Sequence, residues 1–273
     1  MRLLVAGARK LVRRPATWVT FGLLVGLMGL IFVAIGATAD RVSGGPQGAA
    51  ALALVTFPRA YDGVLAFVLG LGGLLAVIYG AAIAGSEWTW GTLKNAVARG
   101  ESRARYMVVT FASVTVLLAV GVVLAFVLGV VAALVGAVLA GVSTSGLNDA
   151  TTLAALPEKL LRGWIGIVEQ GALGFAIATL ARSQVAGIGA GIAIYFGEQF
   201  SAIFFPDVVK YLAFNAAQAV VDLPSGGGFG GEGGGGPIVA SLEPNVALIV
   251  VGVWLVGALV VSALFTERAE IAG

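Results

Sequence analysis

Glu169 and Gln170 stand side by side inside a long apolar run, and Glu198 and Gln199 repeat the pair near the end of the next one. A carboxylate at membrane depth is costly, so it normally faces protein or water and has a partner. Two chemistries fit such groups: they line a path for a polar or cationic solute, or they bond between helices or across a dimer. Glu198 sits toward the end of its run, near the outer surface, which favours bonding. For Glu169 both readings stand.

A second polar set is the insert 86–105, the only stretch with the charge and turn chemistry to grip a water-soluble partner. It carries Glu87, Trp88, Gly91, Thr92, Leu93, Lys94, Asn95, Val97, Arg99, Ser102 and Arg103. Gly91 permits a sharp turn, and Thr92 is placed to cap a helix over 93–99 that ends at Gly100. Leu93, Ala96 and Val97 then form an apolar face, rimmed by Lys94, Asn95 and Arg99. At about 10 Å this helix is too short to hold in water alone, so it needs a groove. Ser102 is placed to cap the next helix. A two-residue turn would suffice to reverse the chain, so the length of the insert favours docking over mere connection.

Both sets are embedded in a chain built for lipid. Of its 273 residues 59% are hydrophobic and only 11% charged, against about a quarter in soluble proteins. Forty-one glycines suit close helix packing in a membrane. With neither Cys nor His, disulfides, thiolate chemistry and nearly all zinc and copper sites are excluded, and no metal site is expected. The pI near 9.1 reflects cations gathered at membrane edges, not a nucleic-acid-binding domain.

The elements that must position these groups are apolar runs long enough to cross about 30 Å of hydrocarbon. They cover 18–35, 64–83, 107–140, 164–180, 185–205 and 246–264. The third is read as a single helix, because only Gly121, Gly129 and Gly136 interrupt it. Six spans place both ends in the cytoplasm. The inner segments then hold Arg2, Arg9, Lys10, Arg13, Arg14, Lys94, Arg99, Arg103, Arg105, Arg182 and Arg268. The outer segments hold only Arg41, Arg59, Lys159, Arg162 and Lys210. That asymmetry follows the positive-inside bias. Ala37 to Ala39 mimics a signal-peptide cleavage site, but the long basic and apolar stretches ahead of it predict a retained anchor.

Residues 1–15 predict an interfacial helix, with Leu4, Ala8 and Leu11 on one face and Arg2, Arg9 and Arg13 on another, and Arg9, Lys10, Arg13 and Arg14 are its candidate contacts to anionic headgroups. Pro15 redirects the chain. Outside, 148–156 reads as a loop. The segment 206–245 reads as a short helix over 208–221 on the outer membrane face, followed by a flexible glycine tract over 225–236.

The insert resembles the signature region of ABC transporter permeases of the type-2 (ABC-2) class. Those carry an acidic residue at the end of the second span, then Gly-Thr-Leu-Lys/Arg, then a Pro-Val-Ser-Arg-like turn. The matching residues are Glu87, Gly91-Thr92-Leu93-Lys94 and Ser102-Arg103, while Gly100 stands where the family has Pro. Arg13-Arg14-Pro15-Ala16-Thr17-Trp18 is similar to the family's entry into its first span. The resemblance implies an all-α integral membrane protein forming one permease domain over 1–273. It implies a coupling helix docked on two copies of a cytosolic ABC ATPase, with Mg-ATP bound there, and a second permease chain, identical or related. It implies an exporter of the plasma membrane. The sequence has no nucleotide loop of its own, so no ATPase activity is expected in this chain.

Three rivals remain. A secondary transporter driven by ions or protons usually shows an inverted repeat and broken helices, and neither is evident. A membrane enzyme needs a nucleophile with its base, or a metal cluster. A non-transporting anchor of a sensor complex is compatible with the same spans.

Overall fold

The computed structural model describes residues 2–42, 45–98, 100, 102–223 and 242–268, and among them every regular element is helical. In chain order these are α1 (Arg2–Val12), α2 (Pro15–Ala37), α3 (Ala39–Val42), α4 (Pro46–Ala53), α5 (Arg59–Thr89), α6 (Thr92–Ala98) and α7 (Arg103–Leu139). After a 3-10 turn at Ser145–Asn148 come α8 (Ala150–Ala181), α9 (Gln184–Ser201), α10 (Pro206–Val209), α11 (Ala213–Ala219) and α12 (Pro244–Arg268). Five of them, α2, α5, α7, α8 and α12, are long and apolar enough to cross a membrane. The chain is an all-α, membrane-embedded protein.

Burial sorts these helices into centre and rim. The apolar windows of α5 and α8 are 72% and 67% buried, whereas those of α2, α7 and α12 are 22%, 28% and 17% buried. The first pair is therefore the protein's core, and the other three turn most of their apolar surface outward to lipid. Residues without side chains let α5 and α8 meet backbone to backbone. A Cβ at Gly174 would lie 2.0 Å from the Val77 carbonyl oxygen, and one at Gly80 would lie 2.1 Å from that of Gly171.

The rim helices α2 and α7 cross where Gly36 faces Gly136, so closely that a Cβ on Gly36 would lie 2.2 Å from the Gly136 carbonyl oxygen. Toward the Glu87 end they part over α5 and leave an apolar cavity of about 230 Å³, lined by Leu24, Gly72, Tyr79, Leu117 and Gly121 among others. The run 107–140 does form one helix, α7, of 37 residues, which is about 55 Å. It stops at Gly141, whose φ of +65° suits a residue without Cβ. There Gly141 N–H donates to the Val138 carbonyl and Val142 N–H to that of Ala137, the paired bonds of a Schellman cap.

Three expectations are corrected. The segment 148–156 is not a loop: Asp149 accepts from the Thr152 N–H at 2.9 Å and starts α8 at once, so this helix runs well before the apolar stretch at 164. The segment 208–221 is not one helix lying on an outer face. It breaks into α10 and α11, and Phe214, Ala216 and Ala217 of α11 are buried against α8, α9 and α12. Finally, the apolar face of α1 meets protein and not lipid. Leu11 is buried, and α1 packs on α7 closely enough for the Ser113 hydroxyl to reach the Leu4 carbonyl. The glycine tract 225–236 lies outside the described residues.

Candidate functional site

At the end of α5 one carboxylate gathers four other segments. Glu87 is fully buried. Its Oε1 accepts from Lys10 Nζ at 2.7 Å and from Arg14 Nη2 at 2.8 Å. Its Oε2 accepts from the Tyr106 hydroxyl at 2.7 Å and from the Thr92 hydroxyl. Arg14 also donates to Ser86 Oγ at 2.6 Å. Lys10 belongs to α1, Arg14 to the turn into α2, Thr92 to α6 and Tyr106 to α7. A buried charge is tolerated only when it is paired and its lone pairs are used, and both conditions are met here. The cluster thus ties α1, the insert and three long helices at one point.

Other contacts extend the same end of the bundle. The Arg182 guanidinium, just past α8, lies 5.4 Å from the Trp88 ring centre and 5.3 Å from that of Phe265 on α12. A Cβ at Gly85 would collide with Gln184, at the start of α9. The opposite end has its own ties: Lys159 of α8 pairs with Asp62 at the start of α5, and Arg162 donates to Asn245 at the start of α12.

The insert folds as a helix at Thr92–Ala98, entered through Gly91 at φ +64° and left through Gly100 at φ +88°. Two capping expectations are corrected. Thr92 is the first helical residue, and its hydroxyl bonds Glu87 instead of capping α6. Ser102 occupies the N-cap position of α7 without a side-chain cap bond. The apolar face of α6 also points inward. Leu93 is 2% exposed, packed in a cluster with Leu11, Ile83, Met107 and Phe111, and Val97 is half-buried against it. The groove that this short helix needs is supplied by its own chain. Of the remaining insert residues, Trp88 and Arg103 are half-buried. The side chains of Lys94 and Asn95, and Arg99 as a whole, lie outside the described residues.

What the insert turns outward was not anticipated. Trp90 is 64% exposed, with the Arg14 guanidinium 5.1 Å from its ring centre. Arg9, Arg13, Gly100 and Ser102 are exposed as well. Of the four cations assigned to the interfacial helix, Lys10 and Arg14 serve Glu87, Lys10 while still partly exposed, and Arg9 and Arg13 are exposed. No sequence signal singled out Tyr106 as the hydroxyl that completes the Glu87 shell.

The second polar set lies among α5, α8, α9 and α11. Glu198 is 5% exposed, and its Oε2 accepts from the Phe214 N–H at 3.0 Å, the Asn215 N–H at 3.2 Å and Asn215 Nδ2 at 3.0 Å. It holds the start of α11, the bonding role expected for it. Gln199 is half-buried about 100° further round α9. Gln170 is 1% exposed, its amide oxygen has no donor, and the side chain fills the notch at Gly73. Glu169 is fully buried, and neither carboxylate oxygen has a hydrogen-bond donor among the described residues.

No protein-family model matches the chain, and no curated protein matches it significantly.

Proposed function

We propose that this chain is the membrane-spanning permease subunit of an ATP-driven ABC transporter of the type-2 class, working as an exporter in the plasma membrane. Six spans, α2, α5, α7, α8, α9 and α12, would carry both ends on the cytoplasmic side. Six is supported by the way the Glu87 end gathers the start of α2, the end of α5, the starts of α7 and α9, and the ends of α8 and α12. An odd number of crossings does not give that arrangement. At 18 residues α9 is about 27 Å long, short but adequate for a thin or locally compressed bilayer.

The observation that carries the reading is the Glu87 cluster. A short helix held to three span ends by one buried carboxylate receives a push from outside the membrane and passes it on as a movement of those ends. The push would come from a separate cytosolic ATPase, two copies per pair of permease chains, with Mg-ATP on the ATPase. Trp90 and the outward side of α6 form the surface for it. An exposed aromatic ring with an Arg guanidinium against it has the composition of an interaction hot spot.

Expression of the chain with the ATPase encoded beside it, followed by purification on a tag carried by the permease, tests the proposal. One-to-one recovery of a nucleotide-hydrolysing subunit supports it. Transport by the purified chain alone, without any such subunit, ends it.

A further inference from the structure

The contrast between Glu169 and Glu198 carries a second conclusion, independent of any ATPase partner. Glu169 lies on α8 and Glu198 on α9, two helices that pack on each other and on α5. Glu198 is satisfied by three N–H donors, whereas Glu169 has none, and the amide oxygen of the next residue, Gln170, has none either. Three fully buried acceptor oxygens without a donor are exceptional, because interior polar groups are almost always paired.

The charged groups on the surrounding elements do not supply the missing cation. On α8 itself the nearest is Arg162, two turns earlier, and it is engaged with Glu158 and Asn245. On α5 the titratable and charged side chains are Arg59, Tyr61 and Asp62 at one end and Tyr79 and Glu87 toward the other. Helix α9 offers Tyr195 and Glu198. Helix α11 has none, and α12 has only Glu267 and Arg268 at its far end. On α7 they are Arg103, Arg105 and Tyr106, all in its first turns. Among the described residues, none of the helices packed around α8 carries a basic side chain in its middle turns.

A buried anion with neither a donor nor a counter-charge is not a stable arrangement. We infer that Glu169 binds an exchangeable monovalent cation, a proton or an alkali-metal ion. A divalent ion is disfavoured, since Glu198 spends its Oε2 on α11 and a hard divalent cation demands six or more oxygens. The site lies between the two most buried spans and α9, the element whose outer end carries Glu198, so occupancy of Glu169 bears on how α9 and α11 pack against the core.

The test uses the purified full-length chain in lipid nanodiscs. Infrared spectra and thermal unfolding are recorded against pH and against NaCl or KCl, with choline chloride holding ionic strength constant. If the cation is a proton, a carboxylic-acid C=O band is present at neutral pH, fades as pH rises, and is lost in Glu169→Gln but kept in Glu198→Gln. If it is an alkali metal, NaCl or KCl raises Tm to a plateau that choline does not reproduce, and Glu169→Gln abolishes the rise. Should Glu169→Gln fail to fold, Glu169→Asp and the wild-type spectra decide: the band or the salt-dependent plateau is present in wild type and shifted in the Asp variant. A wild-type chain with neither response, or a Glu169→Gln chain that keeps the response in full, overturns the inference.

Discussion

Lys10 and Glu87, 77 residues apart in sequence, meet at 2.7 Å. With Arg14 added at 2.8 Å, the pairing gives a fully buried carboxylate two cations and two hydroxyls. Removal of one partner from a buried pair leaves an uncompensated charge, at a cost of roughly 3–5 kcal/mol. Glu87→Ala is expected to lower stability by an amount of that order in thermal unfolding. In a double-mutant cycle with Arg14→Ala, the second substitution should cost far less once the first is made. Additive losses would show that the two groups do not depend on each other.

Leu93 and Trp90 separate folding from docking. Leu93→Ala empties a buried position and should cost about 2–5 kcal/mol of stability by itself. Trp90→Ala should cost about 1 kcal/mol or less, since the ring is exposed and its one noted partner is the Arg14 cation. If Trp90 is a docking anchor, the same variant weakens capture of the ATPase by tenfold or more. Equal capture by wild type and variant would remove Trp90 from the proposed interface.

Replacement of Thr92-Leu93-Lys94 by Gly-Ser-Gly severs α6 from Glu87 and from its own groove. The expected result is ATP hydrolysis that no longer drives transport, in a chain that still inserts into the membrane. Coupled turnover at the wild-type rate would count against the lever reading of α6.

Gly36 and Gly136 fix how near α2 and α7 come to each other. Gly36→Val has no room for its methyls and should cost about 1–3 kcal/mol by overpacking. Gly26→Ala, on the same helix with nothing within 4 Å of its Cβ, should be close to neutral. Parallel melts of the two variants make the comparison.

Asp149 gives a pH signature. Hydrogen bonds from the hydroxyls of Thr151 and Thr152 and from the Thr152 N–H hold its carboxyl down to about 2, below its ordinary 3.8. A depressed folded value stabilises the helix above the unfolded value and loses that support as pH falls through the folded one. The Tm difference between wild type and Asp149→Asn should therefore be constant above about pH 5 and shrink progressively from there to about pH 1.

Much of the architecture was readable because lipid imposes length. The run 107–140 could be taken as one helix from its unbroken apolar composition, and Gly141 sits where such a helix stops. The start of α8 was missed because its cap, Asp149, precedes polar residues that look like a loop, and the apolar signal begins only at Trp164. The direction in which α6 faces was not readable either. Leu93 and Val97 mark an apolar face, but periodicity does not say whether the groove belongs to the same chain or to another. The burial of α11 depends on Glu198 reaching back from α9 to Phe214 and Asn215, a contact that neither segment reveals alone.

The long sequence gap behind the Lys10–Glu87 bond has a consequence for how the protein is made. Chains emerge amino end first, so Lys10 and Arg14 are exposed while the first apolar helix enters the bilayer and the carboxylate that will claim them has not been synthesised. During that interval their charge is free to decide which way the helix threads. Two crossings, α2 and α5, bring the chain back to the side it left, so Glu87 reaches Lys10 and Arg14 only after both have been made, and the bond closes that first hairpin.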